Sequence, residues 1–285
     1  VFSRDSQHLS DLAGSAAENG FTGIVVLGGD GTASHAAREL IRSGQSIPIA
    51  VIPAGNGNDW SRTLCTRSAE AAIEAIVAGR TAILDAGRFS FLDEAEREMD
   101  GVAFINSAGI GLDAHVLQRS IRYRERFPLR KAAYVFALGS TLIRMPLWEG
   151  SLEMDGDEVY SGRYLSITVG VCPYVGGGMM LSPSSRPDDG RLDGAIVTPI
   201  SRWKLIRNLP RIYNGTLLDD PSVKSWSGER FILRSAGRIC VELDGERMIT
   251  PESTAGLLIE SLPEAVEAVV GANYRDSSRA SLQKY

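Results

Sequence analysis

Gly28-Gly29-Asp30-Gly31-Thr32 stands between a valine- and isoleucine-rich run, residues 21–27, and a segment in which Ala33, Ala36, Ala37, Leu40 and Ile41 recur at helical spacing before Gly44. The pattern predicts a buried parallel strand, a glycine turn and a helix over 32–42. Paired glycines let the backbone approach a phosphate closely, and the helix N-terminus that follows favours an anion. A tight strand-to-helix turn needs the glycines but not Asp30. That carboxylate makes sense beside phosphates if it holds a Mg²⁺ ion or manages a proton. The stretch has neither a Walker lysine nor the dinucleotide glycine spacing.

Upstream, Leu9, Leu12, Ala13, Ala16 and Ala17 predict a helix stopped by Gly20. Downstream, residues 47–52 read as the next strand. Ser68 can cap a helix carrying Ala72, Ile73, Ile76 and Val77, closed by Gly79, before a strand that reaches Asp85. This βαβα run predicts an open parallel sheet with helices on both faces. Such sheets bind ligands at the carboxyl ends of their strands, where Pro53-Ala54-Gly55-Asn56-Gly57-Asn58-Asp59-Trp60 lies. Asn56 and Asn58 can donate there to phosphate or ribose oxygens. Read alone, the segment is equally a loop in which Asn58 or Asp59 caps a helix.

Beyond about Asp85 the pattern changes. Residues 164–171, 191–197, 230–233 and 239–243 read as strands among glycine, proline and aspartate turns, and Asp155-Gly156 is a hairpin signal. The expected fold class is therefore α/β plus β. A parallel α/β nucleotide-binding domain, residues 1–85 completed by 262–285, is joined to a mostly antiparallel β domain, residues 86–261. The active site is expected in the cleft between them.

The 285 residues carry a net charge of -5, which argues against nucleic acid as the main partner. Cys65, Cys172 and Cys240 are odd in number and widely spaced, as are His8, His35 and His115. They suggest reduced thiols in a reducing, cytoplasmic setting, without a zinc centre. The longest apolar run, 132–143, falls short of the ~18 residues that span a bilayer and is interrupted by Gly139, Ser140 and Thr141. The chain opens at Val1 on what reads as the lead-in to a helix, so a preceding strand is expected.

Two basic stretches suit an anionic membrane surface, with peripheral attachment. In the first, Arg119, Arg122, Arg124, Arg126, Arg130 and Lys131 cluster with Tyr123 and Phe127 against only Glu125. In the second, Arg202, Lys204, Arg207 and Arg211 share a predicted helix with Trp203 and no acid. A solvated helix face is the simpler alternative for each.

Three more motifs follow in order: Asn106-Ser107-Ala108-Gly109-Ile110-Gly111-Leu112-Asp113-Ala114; Gly176-Gly177-Gly178-Met179 through Pro183 with Pro187-Asp188-Asp189-Gly190-Arg191-Leu192-Asp193; and Asp244-Gly245-Glu246. With the first two, they resemble the diacylglycerol-kinase catalytic family, which includes bacterial lipid kinases and sphingosine kinases. The resemblance covers nearly the whole chain, whereas the Gly-Gly-Asp-Gly core alone also admits NAD kinases and phosphofructokinases. It implies ATP-dependent transfer of a γ-phosphoryl group to the hydroxyl of a diacylglycerol-like or other lipid.

On matching residues it implies a phosphate loop of Gly28, Gly29, Asp30, Gly31, Thr32, Ala33 and Ser34, with Ser3, Asn56 and Asn58 completing the ATP pocket. Asn56 stands where the family usually has threonine. Asp85 would join Asp30 and Asn56 in a water- and metal-linked network. A structural Mg²⁺ would be held by the Asp189 carboxylate and the carbonyls of Arg186 and Arg191. Asp244 matches the family's proposed catalytic base. The family's Asn-Pro-Ser-Gly-type opening loop is absent from these residues. An NAD kinase-like activity and a non-catalytic nucleotide- or lipid-binding regulator are the alternatives. The acceptor lipid and the oligomeric state, a homodimer included, stay open.

Overall fold

The structure, a computed structural model, describes residues 1–124, 140–141, 145–235 and 239–274. Most of the apolar run 132–143 lies outside these residues. So do Glu125, Arg126, Phe127, Arg130 and Lys131 of the first basic stretch, and residues 275–285.

The chain opens with α1 (Ser6–Gly14), β1 (Ile24–Gly28), α2 (Asp30–Ser43), β2 (Ile49–Pro53), the short α3 (Asp59–Thr63), α4 (Ala69–Val77) and β3 (Thr81–Leu92). β1 and β2 pair in parallel. Ala33, Ala36, Ala37 and Leu40 of α2 pack with Val26 and Val51 on one face, and Ala75 and Ile76 of α4 meet Ala50 on the other. The expected boundaries at Gly44 and Ser68 act as read. Gly44 closes α2 at φ 66°, and Ser68 Oγ accepts from the Ala71 N–H at 3.2 Å to start α4.

Two details differ from the sequence reading. α1 ends at Gly14 rather than Gly20, with Ser15 as its C-cap residue at φ -102° and ψ 1°. β1 is buried on one face only, leaving Val25 and Leu27 56% and 68% exposed. The α4 helix covers β2 and does not extend over β1.

β3 does not stop at Asp85 but continues to Leu92. It is followed by β4 (Val102–Phe104), β5 (Ser107–Gly111), α5 (Leu112–Arg124), β6 (Trp148–Met154), β7 (Asp157–Tyr164), β8 (Ser166–Gly170), β9 (Tyr174–Val175) and β10 (Met179–Met180). Next come β11 (Leu192–Val197), α6 (Arg202–Asn214), β12 (Val223–Gly228), β13 (Arg230–Ser235), β14 (Val241–Leu243), β15 (Glu246–Arg247) and β16 (Gly256–Val269). An antiparallel sheet of order β12-β11-β8-β5-β14-β15 faces the β13-β6-β7 part of the other sheet. The two sheets touch where Gly194 gives room to Phe231, since a Cβ there would sit 2.7 Å from the ring. Asp155 and Gly156, at φ 50° and 94°, make the expected hairpin turn.

β16 ties both halves together. It pairs with β3 along its length, with β13 at its start, and with β2 at Ala268. The divisions expected at residues 85 and 262 therefore fall inside continuous strands. A bulge between Leu262 and Val266 lies opposite Leu84 and Ala86. The buried Asp85 fills it, accepting from the N–H of Glu264 at 2.9 Å and of Gly190 at 2.7 Å, while its own N–H donates to the Pro187 carbonyl at 2.7 Å. Replacing Asp85 by Ala strands two donors at about 1–3 kcal/mol each, so urea unfolding should show a loss of about 2–6 kcal/mol. An unchanged midpoint would remove Asp85 from this joint.

Candidate phosphate-binding site

The N-terminus of α2 opens at the carboxyl ends of β1 and β2. Gly29 is its N-cap residue and supplies no side chain to cap it, while the space around a Cβ on Gly31 is empty. The first-turn N–H groups thus face an open position where the helix dipole favours an anion. The glycines are required by close approach: a Cβ on Gly55 would lie 2.5 Å from the Cα of Gly29, and one on Gly28 would strike Thr32.

Asp30 has a structural task at this turn. Its Oδ1 accepts from the N–H groups of Asp59 at 2.6 Å and Trp60 at 3.1 Å, capping α3 from the neighbouring loop. Its Oδ2 lies against Gly57. Asp59 in turn accepts from the N–H groups of Gly177 and Gly178, at 2.7 and 2.6 Å, which anchors the β9–β10 turn of the second domain. Burial pushes the Asp59 carboxyl up, and the charge of Asp30 adds to this; the two N–H donors and Arg62 oppose it. Arg62 is the cation at this junction, donating to the Gly57 carbonyl and lying 3.7 Å from Asp59. Sequence reasoning assigned no role to Arg62 and offered Asp59 only as a candidate helix cap. The signal for Asp59 was its place before Trp60, a residue buried almost completely.

Several expected ligands are otherwise engaged. Ala33 is buried in the core and Ser34 is buried against Asp244, so neither side chain faces the open helix end. The Asn58 side chain grips Gly55 in both directions, accepting from its N–H and donating to its carbonyl at 2.9 Å, which holds Asn58 at φ 53°. Its amide is spent on the loop, and the cap of α3 comes from Asp30. Asn56 on the same loop and Ser3 ahead of α1 are exposed. Asp85 directs its carboxylate to Gly190 and Glu264, and no hydrogen bond joins it to Asp30 or Asn56.

Asp244 sits on the β14–β15 turn at φ 51°, its side chain fully covered. Its Oδ2 accepts from Ser34 Oγ at 2.6 Å, the Ile105 N–H at 3.0 Å and Arg38 Nη2 at 3.3 Å. Its Oδ1 accepts from the N–H groups of Asn106 and Ser107 at 2.8 and 3.1 Å. A base needs a lone pair to spare, and here all are occupied. Only the Ser34 hydroxyl, a free rotor, can leave without moving backbone or an ion pair. Arg38 is also held by Glu246 at 3.0 Å, and Glu246 meets His35 Nε2 at 2.8 Å. Beside Asp244, Asn106 Oδ1 and Ser107 Oγ are buried without hydrogen bonds.

Behind this turn lies Glu242, which accepts from the Gly245 N–H at 2.7 Å. Burial pushes its carboxyl up to about 8, and the charges of Asp113 and Asp244 act in the same direction. Asp113 is likewise raised by burial, against donors from Ser166 and Thr168.

In the 186–191 loop, Asp189 accepts from the Arg191 N–H at 3.0 Å, and Arg186 pairs with Asp188 at 3.1 Å. Burial raises the Asp189 carboxyl, and Asp193 and Asp85 raise it further. Among the described residues no three His, Cys, Asp or Glu side chains gather as a metal site. The donor chemistry nonetheless suits a hard cation: one carboxylate burdened by like charges, in a loop that can offer carbonyl oxygens.

Residues 2–89 match the model of the diacylglycerol kinase catalytic domain, and residues 106–270 match that of the YegS C-terminal NAD kinase beta sandwich-like domain. A diacylglycerol kinase of Mycobacterium tuberculosis is 31% identical over 85% of this chain and 76% of its own length. The chain belongs to the diacylglycerol kinase family. A diacylglycerol kinase of Bacillus subtilis is 25% identical over 85% of this chain and 78% of its own. The fold is shared with the crystal structure of a diacylglycerol kinase from Bacillus anthracis, with a TM-score of 0.69, 19% identity, and coverage of 96% of this chain and 85% of that one. It extends to yeast NADH kinase at a TM-score of 0.51, 10% identity, and coverage of 92% and 65%.

The raised Glu242 carboxyl gives the fold a pH dependence. The folded state keeps a proton that the unfolded chain has lost, so this stability is complete below the ordinary carboxyl range near 4.5 and is lost as pH rises through about 8. Unfolding free energies across that window should fall for wild type by on the order of a few kcal/mol from this group. Glu242→Gln should flatten the slope. Parallel curves for the two proteins would show that Glu242 is charged when folded.

Proposed function

We propose that this family member is an ATP-dependent lipid kinase that transfers the γ-phosphoryl group to a hydroxyl of a diacylglycerol-like lipid. The uncapped α2 N-terminus carries this reading. It presents backbone N–H groups to an anion where two strand-end loops close on each other through Gly29 and Gly55. The names of the relatives supply the substrate class.

In this reading Gly28, Gly29, Gly31 and Thr32 receive the nucleotide phosphates, with Asn56 and Ser3 at the exposed rim. Arg62 supplies positive charge from the domain junction. Asp30 sets the loop by capping α3, and its second oxygen is available to the nucleotide's cation. The 186–191 loop would hold a structural Mg²⁺ through the Asp189 carboxylate and the backbone carbonyls of Arg186 and Arg191. Such an ion neutralises and fixes oxygen ligands, and Asp85 positions the loop through Gly190.

Phosphoryl transfer demands mostly positioning and charge neutralisation. Asp244 is the proton acceptor. The substrate hydroxyl takes the place of Ser34 Oγ on the Asp244 carboxylate and attacks the γ-phosphorus. The bond to the leaving ADP oxygen breaks, and the hydroxyl proton passes to Asp244. Buried Asn106 Oδ1 and Ser107 Oγ are unspent polar groups beside that position.

Incubation with labelled ATP, Mg²⁺ and a total lipid extract, with NAD as a parallel acceptor, tests the activity. A labelled lipid is expected, and labelled NADP alone would favour the nucleotide kinases that share the fold. On the lipid identified, Asp244→Asn should lower kcat ~10²–10⁴-fold with nucleotide Kd little changed. Ser34→Ala should keep kcat within a few-fold, because substrate displaces that hydroxyl. An Asp244→Asn protein with near wild-type kcat would end its assignment as base.

A further inference from the structure

The α6 helix buries one face and leaves the other apolar. Inward, Leu205 packs with Leu112, Val116 and Leu165, and Ile212 packs on the cluster of Ala195, Leu217 and Val223. Two of its cations also turn inward: Lys204 Nζ lies 2.6 Å from the buried Asp220, and Arg211 lies 3.9 Å from it. Asn208 donates to the same carboxylate at 3.0 Å. Those needs met, a solvent-facing helix would be expected to be polar on its other side. Instead Trp203, Ile206 and Tyr213 are 82%, 44% and 57% exposed, with Pro210 between them. They follow one another at helical spacing, so they form one stripe.

Arg202 and Arg207 flank that stripe, both exposed, and no acid partner of either is found among the described residues. The helix contains no acid at all. An apolar stripe with aromatic residues, bordered by arginines, matches the boundary between lipid headgroups and acyl chains. Indole and phenol rings settle at that depth, and arginine meets lipid phosphates. None of the described helices is long and apolar enough to cross a membrane, so the contact would be lateral.

We propose that the exposed face of α6 is a docking surface for an anionic membrane, with Trp203, Ile206 and Tyr213 entering the interface and Arg202 and Arg207 binding headgroup phosphates. The placement gives the contact a use. Gly215, which closes α6, lies against Met180 and Pro183. Met180 pairs with Tyr174 across the β9–β10 hairpin, and the N–H groups of its turn, Gly177 and Gly178, bind Asp59 beside Asp30. Docking therefore sets the membrane next to the cleft loop that borders the phosphate site. This proposal rests on the lipid-kinase reading for its purpose, but not for its test.

The test is flotation, without nucleotide, on vesicles of mixed phosphatidylglycerol and phosphatidylcholine against pure phosphatidylcholine. Wild type should favour the anionic vesicles and detach as salt rises. Trp203→Ser/Ile206→Ser and Arg202→Glu/Arg207→Glu should each reduce the bound fraction at least about tenfold, with unchanged melting temperature since all four side chains are exposed. If both variants float as wild type does, the docking face is elsewhere. If they alter only a monomer–dimer equilibrium measured by light scattering, the stripe is a self-association face and the proposal falls. A protein that docks through α6 but labels no lipid would refute the kinase reading alone. If it phosphorylates vesicle lipid, the variants should lose that activity yet retain turnover of a dispersed short-chain lipid.

Discussion

The carboxylate of Asp244 is covered on all sides, and the donors that satisfy it come from both halves of the molecule. Ser34 and Arg38 reach it from α2, while the N–H groups of Ile105, Asn106 and Ser107 reach it from the junction of β4 and β5. A buried charge is tolerated only when such partners surround it. Satisfying Asp244 therefore fixes the distance between the phosphate-loop helix and the antiparallel sheet.

Two other carboxylates repeat the device. Asp59 joins α3 to the Gly177–Gly178 turn, and Asp85 joins the bulge of β16 to the loop at Gly190. Each crosses between distant segments, and each binds backbone N–H groups. Backbone donors cannot swing aside as side chains do, so these joints are stiff.

The strand pair β3 and β16 solves a different problem. Two domains joined by flexible linkers would leave their relative placement to chance. Here both domains share two continuous strands, bent at one bulge, and Asp85 fills the bend. The two halves are thereby built on one hydrogen-bonded ladder.

The sequence by itself determined the local pieces: the strand–glycine–helix order around Gly28-Gly29-Asp30-Gly31-Thr32, the stops at Gly44 and Gly79, the Ser68 cap and the Asp155-Gly156 hairpin. These depend on periodicity and backbone preference, which act over a few residues. It also singled out Asp244 and Asp189, through motifs that resemble the family's. The tertiary structure alone decided what the polar side chains bind. Asp30 caps a helix that begins 29 residues later, Asn58 closes its own loop on Gly55, Ser34 turns to a carboxylate 210 residues away, and Asp59 holds a turn of the other domain. Partners separated by such distances leave no periodic trace. A carboxylate on a glycine loop looks the same in sequence whether it faces a metal, a phosphate or a backbone N–H. The difference lies in which donors the completed fold brings within 3 Å of it.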